Sequence, residues 1–378
     1  MFQTLLGKNE RGRGGHDERP AVGRHSGAAG RPVGVIWPFV PTRLDELTTL
    51  RLGGPIGRIE QAKTTCDLVD AVRGADAVGE PLLIVGGGSN LVAADAGWGG
   101  VVVLVESTGV DVSTQDDAVC VTAQAGVVWD ELVAQSVAAG WSGLASMSGI
   151  PGLTGATPVQ NVGAYGSEVA DSIVELQVLD RNDGVVRPFT PEQCGFAFRT
   201  SAFKHTERFV VLEVTFRLRR SPDAVPVRYA ELARRLGIEP GRTAPSAAVR
   251  EVVLELRRSK GMLLDASDHD TWSVGSFFVN PVVAPALAPR GCPQWTVDGQ
   301  VKLSGAWLIE NSGFQRGYGL DRGRGRVAIS TKHALALTNR GGATTAELLG
   351  LAAEIRAGVE RQFGIRLQPE AHLKGVTF

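Results

Sequence analysis

The chain has 378 residues, 43% hydrophobic and 21% charged, which suits a globular protein large enough for two domains. Its 39 basic and 40 acidic residues leave a net charge of -1, so no bulk field draws it to nucleic acid or to an anionic membrane, and any bound phosphate must be held locally. The four cysteines, Cys66, Cys120, Cys194 and Cys292, are widely spaced and match no metal motif, which points to reduced thiols in a cytoplasmic protein.

Residues 1–41 are rich in Gly and Arg and lack the apolar core of a secretory signal, so a disordered extension is expected there. No run approaches the roughly 20 apolar residues that span a bilayer. From residue 42 onward, β-branched runs bounded by Gly, Asp or Asn predict strands at 81–85, 100–106, 118–122, 173–179 and 209–218. Helices are predicted over 66–73 and 128–139, the second stopping at Gly140. After a junction near Ser221-Pro222, the pattern predicts helices over 229–236, 247–259 and 345–363. The last opens with the Thr344 to Glu347 capping box and is followed by a closing strand over 364–368. The expected fold is an α+β domain over 42–220 and a smaller α/β domain over 221–378.

Two glycine-rich loops interrupt these elements. Gly86-Gly87-Gly88-Ser89-Asn90 follows a strand, where bare amides cradle a pyrophosphate or simply make a tight turn. It is not a Rossmann fingerprint, because Leu91 stands where the third glycine belongs and the segment 92–100 is too short for the crossover helix. The second, Ser148 to Gly166, holds five glycines and two prolines in 19 residues. A loop of that length in a compact domain implies function, and its apolar Ile150, Leu153, Val159 and Val162 argue against a linker. A third segment, Val274-Gly-Ser-Phe-Phe-Val-Asn-Pro281, reads as a strand carrying one hydroxyl, Ser276. A buried serine must find a partner, and the plain one is a backbone carbonyl.

These segments, taken with Phe198-Arg-x-Ser-x-Phe-Lys204 and Pro369-Glu370, resemble the UDP-N-acetylenolpyruvoylglucosamine reductase (MurB) family in motif order from about Leu47 onward. They resemble its larger subclass, which carries a substrate-closing tyrosine loop. The resemblance implies a two-subdomain FAD-binding fold of the vanillyl-alcohol oxidase type, with the C-terminal domain taking substrate. FAD would be non-covalent, since neither loop has a His or Cys. NADPH would be co-substrate, and the chain a cytoplasmic monomer without nucleic-acid or membrane partners. The implied reaction reduces the enolpyruvyl ether of UDP-N-acetylglucosamine to UDP-N-acetylmuramate.

By the same resemblance, Gly86 to Asn90, Gly152, Gly155, Ala156, Thr157, Asn161, Gly163, Tyr165 and Gly166 would hold the cofactor. Arg199 would grip the substrate carboxylate, Ser276 would protonate the carbanion, and Glu370 would orient Arg199 or share a proton with the enol. Tyr229, Arg257, Lys260, Asn280 and Lys302 would meet the nucleotide-sugar, and no metal is expected. Gly261-Met-Leu-Leu replaces the family's frequent Leu-Pro-x-Pro, and Val279 stands where lysine is common. The competing readings are an oxidase of the same superfamily and a non-catalytic nucleotide-sugar binder.

Overall fold

Two sheets carry the first part of the chain. The computed structural model describes residues 40–378, so the extension expected over 1–41 lies almost wholly outside the described residues. Three parallel strands, in the order Ile56–Ala62, Trp98–Val105, Leu82–Val85, form the first sheet. Its buried side packs Val101 and Val103 on Leu68, Val69, Val72 and Ala75 of the helix Thr65–Val78. Thr64 accepts from the Asp67 amide to start that helix, and left-handed Gly79 ends it. The helix outruns the expected 66–73 because the apolar stripe continues to Ala75, past the exposed Gly74.

The second sheet is antiparallel, in the order Val185–Phe189, Ile173–Asp180, Phe209–Arg220, Ala118–Gln124, Val110–Gln115. Alternation along its strands buries Val119, Val121, Val214 and Phe216 against Trp129, Leu132 and Val133 of the helix Trp129–Ala138. The helices Ala230–Leu236 and Ser246–Ser259 bury Leu232, Val249, Val253 and Leu256 against Ala145 and Val137, on this same body. A separate core gathers Phe277, Phe278, Leu308 and Ile309 with the helix Thr345–Phe363, and takes in Leu50, Leu52 and Val92 from the other end of the chain.

Two expected strands differ from what forms. Residues 274–281 bend at Gly275 and Phe277 and join no ladder, since Gly275 has φ 73° and Pro281 has no amide to give. Among the described residues their one bridge is Phe278–Pro369, beside isolated backbone bonds: Phe277 donates to Leu335 O at 2.8 Å, Val279 to Gln368 O at 3.0 Å, and Pro281 O accepts from Leu303 at 2.8 Å. Residues 364–368 therefore serve as a partner to that segment, and the ladder strand begins only at His372–Lys374, parallel to Leu91–Ala93. Asp95, just past that pair, accepts from the amides of Thr345 at 2.7 Å and Ala346 at 3.0 Å, fixing the long helix to the sheet. Asp95→Ala should cost about 1 to 2 kcal/mol of stability, read as a lower urea midpoint with unchanged m.

Candidate active site

A cavity of about 490 Å³ opens where both bodies and the C-terminal core meet. The loop after Leu82–Val85 forms one wall and the 151–157 loop another, and the two touch through glycines: a Cβ on Gly87 would lie 2.7 Å from Gly152 Cα. Ser89 donates to Pro151 O at 3.1 Å and Asn90 to Gln160 at 2.9 Å, tying the loops side by side. The amides of Gly87, Gly88 and Ser89 have no backbone acceptor among the described residues. Unpaired donors on a glycine-rich cavity wall suit the pyrophosphate of a dinucleotide.

The opposite wall carries charge. Arg199, on the 195–208 loop, donates to Gly163 O at 2.5 Å and lies 3.4 Å from Glu370 through Nε. Its backbone is left-handed, φ 54°, a conformation worth about 1 to 3 kcal/mol of strain outside glycine, so its surroundings must hold it. Lys204 helps by donating to the Arg199 carbonyl at 2.7 Å. Glu168 lies 3.9 Å from the far edge of the guanidinium, and the Lys302 ammonium sits 4.1 Å over the Phe198 ring. Three cations thus surround two carboxyls, a setting that favours an added carboxylate.

Burial pushes the Glu370 pKa above the usual carboxylate range, against the opposing pull of Arg199 and Lys204. Burial likewise lowers Lys204 and Lys302. Ser276 lines the same cavity, half-buried, and its hydroxyl has no protein hydrogen-bond partner among the described residues. The backbone carbonyl that a structural serine would use is absent. Gly275, left-handed and with open space at its missing Cβ, leaves the approach to Ser276 clear.

The cavity wall includes Gly86 to Asn90, Gly152, Gly155, Ala156, Thr157, Gly163, Arg199, Arg257, Ser276, Asn280 and Glu370. It does not include Asn161, whose side chain is spent on the protein. Asn161 donates to Glu168 at 2.7 Å and to Ala197 O at 3.2 Å, accepts from the Ala170 amide, and so braces the arginine loop. Tyr165 and Gly166 also lie off the wall, where Tyr165 meets Tyr229 edge to face at 5.4 Å. Lys260 pairs with Glu231 at 3.2 Å beside them, and Lys302 stands behind Phe198. Arg257 spends donors on Gly149 O and Met262 O, and Asn280 accepts from the Gly305 amide. Arg181, Glu207, His372 and Lys374 line the cavity without having been anticipated. The two-residue spacing from Glu370 was the available signal for the last two.

Two glycine loops on an α+β body share one cavity with the Arg199–Glu370 pair and the Ser276 hydroxyl, and the family models that the chain matches make this a flavin-dependent oxidoreductase. Residues 58–189 match the family model described as an FAD binding domain, and residues 267–373 match the C-terminal domain of UDP-N-acetylenolpyruvoylglucosamine reductase. A reductase of that name from Thermobifida fusca is 51% identical over 349 residues, 88% of this chain and 97% of the relative. One from Salinispora arenicola is 52% identical, covering 89% of this chain and 95% of its own. The solved MurB reductase from Thermus caldophilus shares the fold at a TM-score of 0.61 and 23% identity, covering 88% of this chain and 97% of that one. The chain belongs to the UDP-N-acetylenolpyruvoylglucosamine reductase family, and its cofactor is FAD.

Two outcomes test this site. Gly87→Ala should force the two loops apart and weaken FAD binding by roughly tenfold or more, measured by flavin fluorescence on release. For Glu370, the raised folded pKa means that its contribution to stability is fully present below the ordinary glutamate value and is lost as pH rises through the folded value. Glu370→Gln stays neutral, so its urea midpoint should match the wild type at low pH and exceed it above that window.

Proposed function

We propose that this chain reduces the enolpyruvyl ether of UDP-N-acetylglucosamine enolpyruvate to UDP-N-acetylmuramate, with NADPH as the electron source. The observation that carries the reading is the Arg199–Glu370 pair in the same cavity as the unpartnered Ser276 hydroxyl. FAD, when bound, supplies the hydride. Gly87, Gly88 and Ser89 would hold its pyrophosphate through their free amides.

Hydride arrival at the terminal methylene carbon leaves the electron pair on the carbon bearing the carboxylate, as an enolate with two negative charges. Arg199 holds a fork of donors that never loses its charge, and Lys204 and Lys302 stand behind it. Burial raises the Glu370 pKa, and in its protonated form it would stabilise the developing enolate without adding a competing charge. Ser276 then delivers its proton to the carbon. A serine is a weak acid, and it suffices because the carbanion is strongly basic and the cations beside it stabilise the alkoxide left behind. Phe277 and Phe278 are fully buried behind Ser276 and keep water from that side.

The Tyr165–Tyr229 contact, with Lys260 and Arg257 nearby, supports a nucleotide-sugar seat at the mouth of the cavity. Among the described residues no helix is long and apolar enough to cross a membrane, and a cytoplasmic reaction on a soluble nucleotide-sugar fits that.

The holoenzyme should bleach anaerobically with NADPH, faster than with NADH, and regain its colour when the enolpyruvyl substrate is added. Recovery with oxygen but not with that substrate would make it an oxidase. Ser276→Ala should slow re-oxidation by substrate about 10²- to 10⁴-fold while reduction by NADPH stays near the wild-type rate. Equal loss in both stopped-flow phases would mark Ser276 as a structural residue.

A further inference from the structure

Glu370, His372 and Lys374 all line the cavity. Glu370 precedes a bend at Ala371, and His372 and Lys374 are alternate residues of the strand that follows, on its cavity side. That side runs along the loop carrying Arg199. Glu370 meets Arg199 at 3.4 Å, the His372 ring lies 6.3 Å from that of His205, and Lys374 is ion-paired with Glu207. The backbone of the segment is held from the other edge: the Glu370 amide donates to Phe277 O at 2.8 Å, that of His372 to Asn90 O at 2.9 Å, and Ala94 donates to Lys374 O at 2.9 Å. One short strand therefore joins the glycine loop, the Ser276 segment and the arginine loop.

We propose that Lys374, through its ion pair with Glu207, is a positioning residue that holds the Glu370 segment closed against the Arg199 loop. The proposal rests on the reading of Glu370 as the protonated partner of Arg199. His205 has a left-handed backbone, φ 61°, as Arg199 does, so the loop between them needs an outer restraint. Across the cavity, Lys374–Glu207 is the ion pair at the far end of that loop. Glu207 is 61% exposed, so the pair adds little to global stability and its effect is on geometry.

The groups facing Glu370 are Arg199 and Lys204 on the loop. Glu168 and Lys302 face Arg199 from the other elements packed there, and His205 and His372 lie further along. Lys374 has its charge matched by Glu207, so removing it acts on Glu370 mainly by loosening the segment. Burial outweighs the two cations at this carboxyl, and loosening therefore eases its ionisation.

The test uses the FAD-loaded enzyme and follows substrate-driven re-oxidation against pH, together with the infrared carbonyl band of the protonated carboxyl, assigned by its loss in Glu370→Gln. Lys374→Met should lower kcat roughly fivefold with KM changed less than about twofold, and should move both the alkaline limb and the infrared titration to lower pH. Lys374→Arg and the exchanged pair E207K/K374E should restore both. An unmoved limb and band in Lys374→Met overturns the positioning role, as does a shift that neither restoring variant reverses. An alkaline limb that survives Glu370→Gln overturns the acid reading and this proposal with it, whereas one abolished by Glu370→Gln but unmoved by Lys374→Met overturns the positioning role alone.

Discussion

Arg199 and Glu370 stand 3.4 Å apart, and most of the architecture is arranged so that they can. Neither group is comfortable. Arg199 occupies a left-handed backbone, and burial raises the Glu370 pKa against the pull of two nearby cations. Such strain persists only when the surrounding structure over-determines it. Asn161 supplies part of that restraint, with its side-chain amide committed to Glu168, Ala197 and Ala170 and its own carbonyl accepting from Arg199 at 3.4 Å. On the other side, the core around Phe277, Phe278 and the helix Thr345–Phe363 fixes the segment that delivers Glu370.

Two kinds of anion recognition share this one cavity, and they differ in physical character. The glycine loop offers neutral dipoles, which would hold a pyrophosphate without raising the charge of a protein whose net charge is -1. The arginine wall offers full charges in a partly dry setting, where they act more strongly on charge that appears during reaction than on charge already solvated. A resident cofactor suits the first kind. A carboxylate that becomes an enolate suits the second, because only there does the interaction strengthen toward the transition state.

Local signals were legible where local chemistry dictates them. The Thr344 to Glu347 capping box and the stripe through Leu348, Leu351 and Ile355 mark a helix that forms over the expected span. Both glycine loops announce themselves because only glycine permits an approach as close as Gly87 to Gly152. Long-range decisions were not legible. Nothing in 364–374 tells which stretch will find a strand partner, since that depends on Leu91–Ala93 lying alongside, and the ladder falls on His372–Lys374. Asn161 resembles a ligand contact by its place in the loop, yet its amide is fully used by groups that only the fold brings near. Tyr165 and Tyr229 similarly find each other before they find the cavity.

The failure of 274–281 to become a ladder strand explains the condition of Ser276. In a ladder, neighbouring strands would cover both edges, and a small hydroxyl at that position would be offered the carbonyls and side chains of its neighbours. Here left-handed Gly275 turns the chain just before Ser276, and pairing resumes only at Phe277 and Val279. The two buried rings of Phe277 and Phe278 pin the segment from behind, with Phe278 bridged to Pro369. The backbone of Ser276 is thereby held, and its hydroxyl has no protein partner among the described residues. That combination stabilises little in the resting fold, and it would serve the proposed reaction, in which a basic carbon lies within the cavity that Ser276 shares with Arg199 and Glu370.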